Sequence, residues 1–334
     1  MKQVSQESIV LVGSNGRKLQ CQSAYGSHFG YNSRYELIVQ GITKHPLFVD
    51  DFERSTVIII TTEANTYHLH GWLLSLKHQI LPAGEHQFKL TIGCSLHQLD
   101  NESGQAIYRD MTVETIIQNL LAPYEIEAEY DFEGLNHPLT YTAQAGTSDY
   151  HFLIRFCITY GIIFFFHQDE DDAKLYFTNK SQKRATYHLT FNPRNGLAES
   201  TGFAHNLHYS QFCLQASVYL RGSKEDDPHT VFSHKTKNLT SIQGNGKLKL
   251  SHTLVTDSQK ECVKQAELIQ QQLDWQREWV KLDVAGKILT TGGVVHIEGY
   301  PNQQLGRPFQ VIEQRFSIDK SPSKNTHGLH VTIF

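Results

Sequence analysis

The sequence predicts an α+β fold that is mostly antiparallel β, and three observations carry that reading. Runs of alternating apolar and polar residues recur over the first hundred positions, with turn residues between them. Helical periodicity is confined to separate segments near residues 112–121, 149–160 and 257–277. One stretch, residues 139–179, reads as a strand, a capped helix and a hairpin in direct succession. At 334 residues, with 39% hydrophobic and 11% aromatic content, the chain is too long for one compact core and divides into two or three domains.

Taken in order, residues 7–12 and 17–23 alternate and are joined by Gly13-Ser14-Asn15-Gly16, whose glycines supply the positive φ of a tight hairpin. Residues 34–40, 57–62, 67–77 and 86–93 continue the series, with turns at Glu63-Ala64-Asn65 and Pro82-Ala83-Gly84. Short strands at this spacing predict an antiparallel barrel over residues 1–100. The period then changes. Asp110 or Thr112 can cap a helix whose buried face is Val113, Ile116, Ile117, Leu120 and Leu121, and Pro123 ends it.

Residues 139–144 alternate as a strand, and Thr147 or Ser148 offers an oxygen to the free N–H groups of the next helix. Phe152, Leu153, Phe156, Cys157 and Tyr160 share one face of it, and Gly161 can close it in a left-handed cap. Residues 162–167 and 174–178 form a hairpin across the acidic run 168–172. These elements make a small α/β domain over 101–185. Residues 186–191 and 203–221 return to strands, and 222–234 reads as a polar surface loop. Asp257 or Ser258 starts a third, long helix near 257–277, with Ser258 and Glu261 at capping-box spacing and Cys262, Ala266, Ile269 and Leu273 as its apolar stripe. Strands follow at 279–286, 292–301 and 309–312.

Three segments carry a family resemblance. Thr147-Ser148-Asp149-Tyr150-His151-Phe152-Leu153-Ile154-Arg155-Phe156, followed by Gly161-Ile162-Ile163-Phe164-Phe165-Phe166 and an acidic tip, resembles the VgrG spike proteins of type VI secretion systems and the related baseplate hubs of contractile phages. Tyr108-Arg109-Asp110-Met111-Thr112-Val113 through Leu121 is similar to a second segment of that family. The third is the long helix followed by Gly292-Gly293-Val294-Val295-His296-Ile297-Glu298-Gly299-Tyr300-Pro301 and Phe309-Gln310-Val311.

The resemblance implies two tube-like β-barrels, over 1–100 and 186–334, flanking the α/β domain. It implies a structural hub, not an enzyme: the base of a homotrimeric puncturing spike whose six barrels seat on a hexameric Hcp-like tube. Effectors or baseplate proteins are further implied partners. The alternatives are a spike-carried cell-wall-degrading effector or the baseplate hub of a contractile phage tail. The expected route is cytoplasmic synthesis, then secretion by the type VI machine without a signal peptide, since residues 1–7 lead straight into a strand pattern. A faint internal echo accompanies the two-barrel expectation: His86-Gln87-Phe88-Lys89-Leu90-Thr91-Ile92 and His327-Gly328-Leu329-His330-Val331-Thr332-Ile333 share one pattern. It predicts that Phe88, Leu90 and Ile92 match Leu329, Val331 and Ile333.

A net charge of −4 without clustered Lys and Arg argues against nucleic acid as a partner. No apolar run approaches the roughly 18 residues of a bilayer span, so no stable membrane insertion is expected. The five cysteines (Cys21, Cys94, Cys157, Cys213, Cys262) are widely spaced and read as reduced core residues. His68-Leu69-His70 and the His205, His208 pair lack any accompanying ligand motif, and the run Asp169-Glu170-Asp171-Asp172 lacks the ligand order of a calcium loop. No nucleophile elbow, phosphate loop or dinucleotide fingerprint occurs, so no catalytic, cofactor-binding or metal residue is expected.

Overall fold

A computed structural model describes residues 8–52, 56–61, 65–100, 103–180, 185–192, 203–211, 216–224, 227, 229–236, 248–255, 258–275, 278–284, 287–300, 306–319 and 328–333. The first strands are β1 (Ser8–Val12), β2 (Lys18–Gln20), β3 (Ser23–Gly30), β4 (Glu36–Thr43), β5 (Thr56–Thr61), β6 (Thr66–Ile80) and β7 (His86–Gly93). All pair antiparallel, in the sequence β2-β1-β5-β6-β7-β4-β3. β2 and β3 are one bent strand. At the bend the Cys21 N–H donates to the Ile9 carbonyl at 2.9 Å and the Gln22 N–H to the Gln40 carbonyl at 2.8 Å, so the strand leaves β1 and joins β4. With β2 and β3 counted as one, six strands close a ring. Period-2 alternation turns Ile9, Leu11, Leu37, Val39, Ile58, Ile60, Phe88, Leu90 and Ile92 inward, and all are buried.

The middle of the chain comprises β8 (Ser103–Met111), α1 (Val113–Leu121), β9 (Ala128–Asp131), β10 (Leu139–Ser148), α2 (Asp149–Tyr160), β11 (Ile163–Gln168) and β12 (Ala173–Thr178). It holds two small sheets, β10-β8 and β11-β12-β9, with β9 parallel to β12. Of the candidate caps, Thr112 and Ser148 are the ones used: their oxygens accept from Thr115 N at 3.2 Å and His151 N at 3.3 Å. Asp110 instead lies at the end of β8 with φ of +51°. The predicted faces of α1 and α2 are buried, and Gly161 ends α2 with φ of +67°. The strand β8, which the sequence reading did not place, pairs along β10 from Ser103 to Met111.

The last part contains β13 (Thr186–Phe191), β14 (Phe203–Gln211), β15 (Ala216–Ser223), β16 (Val231–Lys235), β17 (Leu248–Val255), α3 (Gln259–Trp275), β18 (Glu278–Val284), β19 (Val294–Glu298), β20 (Phe309–Asp319) and β21 (Gly328–Ile333). The expected strand over 203–221 is divided between two sheets, because β14 belongs to a barrel and β15 to a separate sheet, β16-β15-β17. The expected loop over 222–234 contains strand β16, which pairs with β15 through Leu220 and His234. α3 covers that sheet, and Val218 and Leu220 pack with Cys262, Ala266 and Ile269 as a core of their own. Ser258 Oγ accepts from Glu261 N at 3.2 Å; Asp257 and Cys213 lie outside the described residues, as does the side chain of Leu273.

The remaining strands form a second ring, β13-β14-β18-β21-β20-β19, closed by β19 against both β20 (Val295 opposite Phe309) and β13 (Val295 opposite Tyr187). Numbered in chain order within each barrel, both rings read 1-2-3-6-5-4. β7 and β21 are each the sixth strand and hold the same place. They also share a bulge: Ile92 and Thr91 pair with Leu73 and Ser75, skipping Leu74, while Ile333 and Thr332 pair with Val311 and Glu313, skipping Ile312. The sequence echo therefore matches a repeated position in the fold. His327, Phe334 and the side chains of 328–333 lie outside the described residues. One difference separates the barrels, since β1 is antiparallel to both its neighbours and β13 is parallel to both of its own.

Candidate assembly interface

The two barrels meet along a continuous seam. β3, the second strand of the first barrel, pairs antiparallel with β20, the fifth strand of the second, from Gly30 opposite Glu313 to Ser23 opposite Asp319. Gly26 stands opposite Phe316, and only a hydrogen fits there, because a Cβ would lie 2.2 Å from the Phe316 ring. Phe316 packs on Phe29 at 5.6 Å between ring centroids, and Phe29 stacks on Tyr35 at 4.7 Å. The Tyr35 hydroxyl donates to the His70 carbonyl at 2.7 Å, and burial pushes this phenol well above its ordinary pKa.

Polar groups complete the seam. The Leu289 N–H donates to Gln314 Oε1 at 3.1 Å, and Gln314 Nε2 donates back to the Leu289 carbonyl. Thr291 donates to the Phe29 carbonyl at 3.3 Å, and the Ile288 N–H donates to the Tyr67 hydroxyl at 3.2 Å. The β11–β12 hairpin is locked onto the same region. Asn32 accepts from the Phe164 N–H at 2.9 Å and donates its own N–H to the Phe164 carbonyl at 2.8 Å. A cavity of about 190 Å³ remains where barrels and hairpin converge, lined by Phe29, Tyr67, Phe166, Gln168 and Gln314 among others.

The residues weighed for chemistry fall into structural places. His70 is buried, its N–H donates to Gln168 Oε1 at 2.9 Å, and its Nε2 lies 3.1 Å from the Asp169 carbonyl oxygen. His68 lines the cavity. β14 is bulged between His205 and His208, with Asn206 at φ of +49°, so the two histidines do not follow a regular strand. Asp169 Oδ1 accepts from Asp171 N at 3.0 Å and Asp172 N at 2.9 Å, and these bonds hold its carboxyl below the usual range. The acidic run is thus a side-chain-closed turn at the hairpin tip. Cys21, Cys94, Cys157 and Cys262 are buried, and burial pushes the Cys94 thiol up to about 12 and Cys157 higher. Among the described residues no group of three or more His, Cys, Asp or Glu could hold a metal ion.

Within the two barrels, two strand edges have no outer strand partner among the described residues. From Trp72 to Ile80, β6 pairs only with β7 among the described residues, and from Leu207 to Gln211, β14 pairs only with β18. The β6 edge is apolar as well as open: Trp72 is 43%, Leu74 42% and Ile80 65% exposed.

Paired barrels, a seam of packed aromatics and open strand edges define a β-rich assembly protein. The chain belongs to the phage tail baseplate hub (GPD) family, whose model matches residues 53–322. No curated protein matches the sequence. Among solved structures, the E. coli c3393 protein, a type VI secretion component described as similar to the T4 tail proteins gp27 and gp5, matches with a TM-score of 0.67 at 12% identity, covering 100% of this chain and 75% of its own. The tail protein of Neisseria meningitidis MC58 matches with a TM-score of 0.67 at 13% identity, over 98% and 96%. A chain of the Francisella PdpA–VgrG complex matches with a TM-score of 0.58 at 9% identity, over 98% of this chain and 57% of that one. The motif resemblance and the fold agree, and they identify a baseplate-hub fold shared by VgrG-type and phage tail proteins.

Proposed function

We propose that this chain is the structural hub at the base of a VgrG-type puncturing spike of a type VI secretion system, acting as a homotrimer seated on a hexameric Hcp-like tube. The carrying observation is the repeated barrel: each chain contains two six-stranded rings with one strand order, so three chains supply six equivalent units for a sixfold tube. The seam supports a structural role, since it joins the barrels by backbone pairing and buried aromatic contacts. Domains 1–100 and 186–334 then each supply one ring, the latter with the β15–β17 sheet and α3 added to it, and 101–185 buttresses them through its contacts at the seam. The protein is made in the cytoplasm and leaves with the spike, which can also carry effectors or contact baseplate proteins.

A second reading, the hub of a contractile phage tail, is favoured by the family match and by the Neisseria tail protein. One experiment tests both. The purified chain is analysed by native mass spectrometry and then mixed separately with rings of the cognate Hcp-like protein and of a phage tail-tube protein. A trimer that caps the Hcp-like rings fits the spike, whereas capping of the tail-tube rings alone would move the assignment to a phage tail. A chain that stays monomeric at millimolar concentration and caps neither would overturn both.

A further inference from the structure

One segment of the middle domain carries charge that the fold answers at only one end. From Glu125 to Glu133 every second residue is acidic: Glu125, Glu127, Glu129, Asp131 and Glu133. All five are exposed, while Ile126, Ala128, Tyr130 and Phe132 between them pack against the main core. Residues two apart on an extended chain lie about 6.5 Å from each other, so each carboxylate raises the electrostatic cost of the next. At the far end the chain supplies relief. Lys180 pairs with Asp131, and Asn179 exchanges two hydrogen bonds of 2.8 Å with the Glu133 backbone. Glu125, Glu127 and Glu129 have no ion pair with any described residue.

Those three carboxylates open onto a groove. β9 begins its parallel pairing with β12 at Ala128 opposite Leu175. A cavity of about 340 Å³ lies at that end of the ladder, lined by residues 124–129 and 172–175 together with Ser95 and Trp72, which is 43% exposed. Glu125, Glu127, Glu129 and Asp172 bring four carboxylates to it. Lys174 is the one cation on its wall, and its ammonium lies 3.9 Å from Asp169 Oδ2. The groove is thus acidic, with an indole and the apolar Ile126 and Leu175 among its walls. β9 pairs only with β12 among the described residues, so its outer backbone edge is open beside the stripe.

We propose that this groove and the β9 edge are the docking site of an extended segment of a partner protein with Lys or Arg at alternate positions. Such a segment matches the site twice: its backbone adds to the open edge, and its alternate cations fall at the spacing of the carboxylates. An alkylammonium or guanidinium group in the groove plays for Glu125, Glu127 and Glu129 the part that Lys180 plays for Asp131. It lies against the Trp72 ring, and its methylene stem covers Ile126 and Leu175. Among the described residues no group of three or more His, Cys, Asp or Glu could hold a metal ion, so the stripe is spread to answer a cationic chain and not a single ion. The docking site goes beyond the hub reading and does not rest on it.

The test uses the full chain and a short acetylated, amidated peptide in which Lys and Thr alternate, compared with an isomer carrying the same lysines in one block and with spermidine. Isothermal titration calorimetry at low salt should show the alternating peptide binding about tenfold or more tightly than either comparator. Glu127→Gln and Glu129→Gln should each weaken it by about tenfold, and Trp72→Leu by about threefold or more, with unchanged circular dichroism spectra. Asp50→Asn removes the same charge from an exposed position outside the groove and should change binding by less than about twofold. Equal binding of the two isomers, or an equal effect of Asp50→Asn, would reduce the stripe to a general acidic surface and overturn the proposal. Spermidine binding as tightly as the alternating peptide would overturn the partner segment in favour of a free polyamine. Absence of binding by all three probes would overturn the site and leave the carboxylates as a guard that repels other strands. None of these results touches the hub reading, whose own test is trimerisation and ring capping.

Discussion

Replacing Gly26 by Ala tests the internal seam with a single methyl group. That carbon would stand 2.2 Å from Cε1 and 2.5 Å from Cζ of Phe316, and 2.8 Å from Cε2 of Phe29. Ordinary carbon contacts lie at about 3.5–4.0 Å, so two buried rings must each retreat by about 1 Å in a packed seam. Overpacking of this kind costs about 1–3 kcal/mol. Phe316→Ala alone should cost about 3–5 kcal/mol, because it empties the same space. The double variant should lose little more than Phe316→Ala, since the new methyl occupies the vacated volume, giving a favourable coupling of about 1–3 kcal/mol. Urea unfolding of the four proteins, followed by far-UV circular dichroism, measures the cycle. Additive losses, or a Gly26→Ala protein as stable as the parent, would refute the packing argument.

Three further expectations concern the rest of the chain. Phe152, buried and stacked on Tyr108 at 5.7 Å and Phe156 at 5.6 Å, should cost about 3–5 kcal/mol as Phe152→Ala and raise amide exchange throughout the middle elements first. Asn32→Ala removes the acceptor of the buried Phe164 N–H and should cost about 1–3 kcal/mol, seen as faster exchange of that one amide in the intact fold. Cys94 keeps its proton to about pH 12 when folded, whereas an unfolded thiol loses it near 8.5. The folded state then binds more protons, so stability must fall as pH rises through this window, by about 1.4 kcal/mol per pH unit for this thiol. Cys94→Ser should flatten the decline of Tm between pH 9 and 11, and an unchanged slope would refute the raised pKa of the folded thiol.

What the sequence revealed was what local periodicity controls. The faces of α1 and α2, the left-handed Gly161 and the strands of the first barrel follow from 3.6- and 2-residue spacing, which burial then enforces. Strand β8 was missed because Ile107, 62% exposed on the face it shares with Gln105 and Arg109, and Asp110, at φ of +51°, interrupt the alternation, and because Tyr108 is the one buried side chain among those described in the strand. The division between β14 and β15 was hidden because both halves have strand composition and only the distant partners, β18 and β17, separate them. Nothing local marks the reversal of β13 relative to β1. The seam itself was invisible, since Gly26 and Phe316 are brought together only by the closure of two separate rings.

The seam also sets a timetable for biosynthesis. β3 emerges early, but its outer neighbour β20 lies nearly the whole chain later, a separation of about 290 residues. At about 5–20 residues per second of translation, β3 waits about 15–60 s for its partner. During that interval the nascent first barrel has two open strand edges, β3 and β6, where the finished chain has covered one of them. An unpaired strand edge of this kind is a template for another strand until it is covered. Arrival of β20 occupies the β3 edge from within the chain, so translation past Asp319 is the step that withdraws this edge from pairing with other strands.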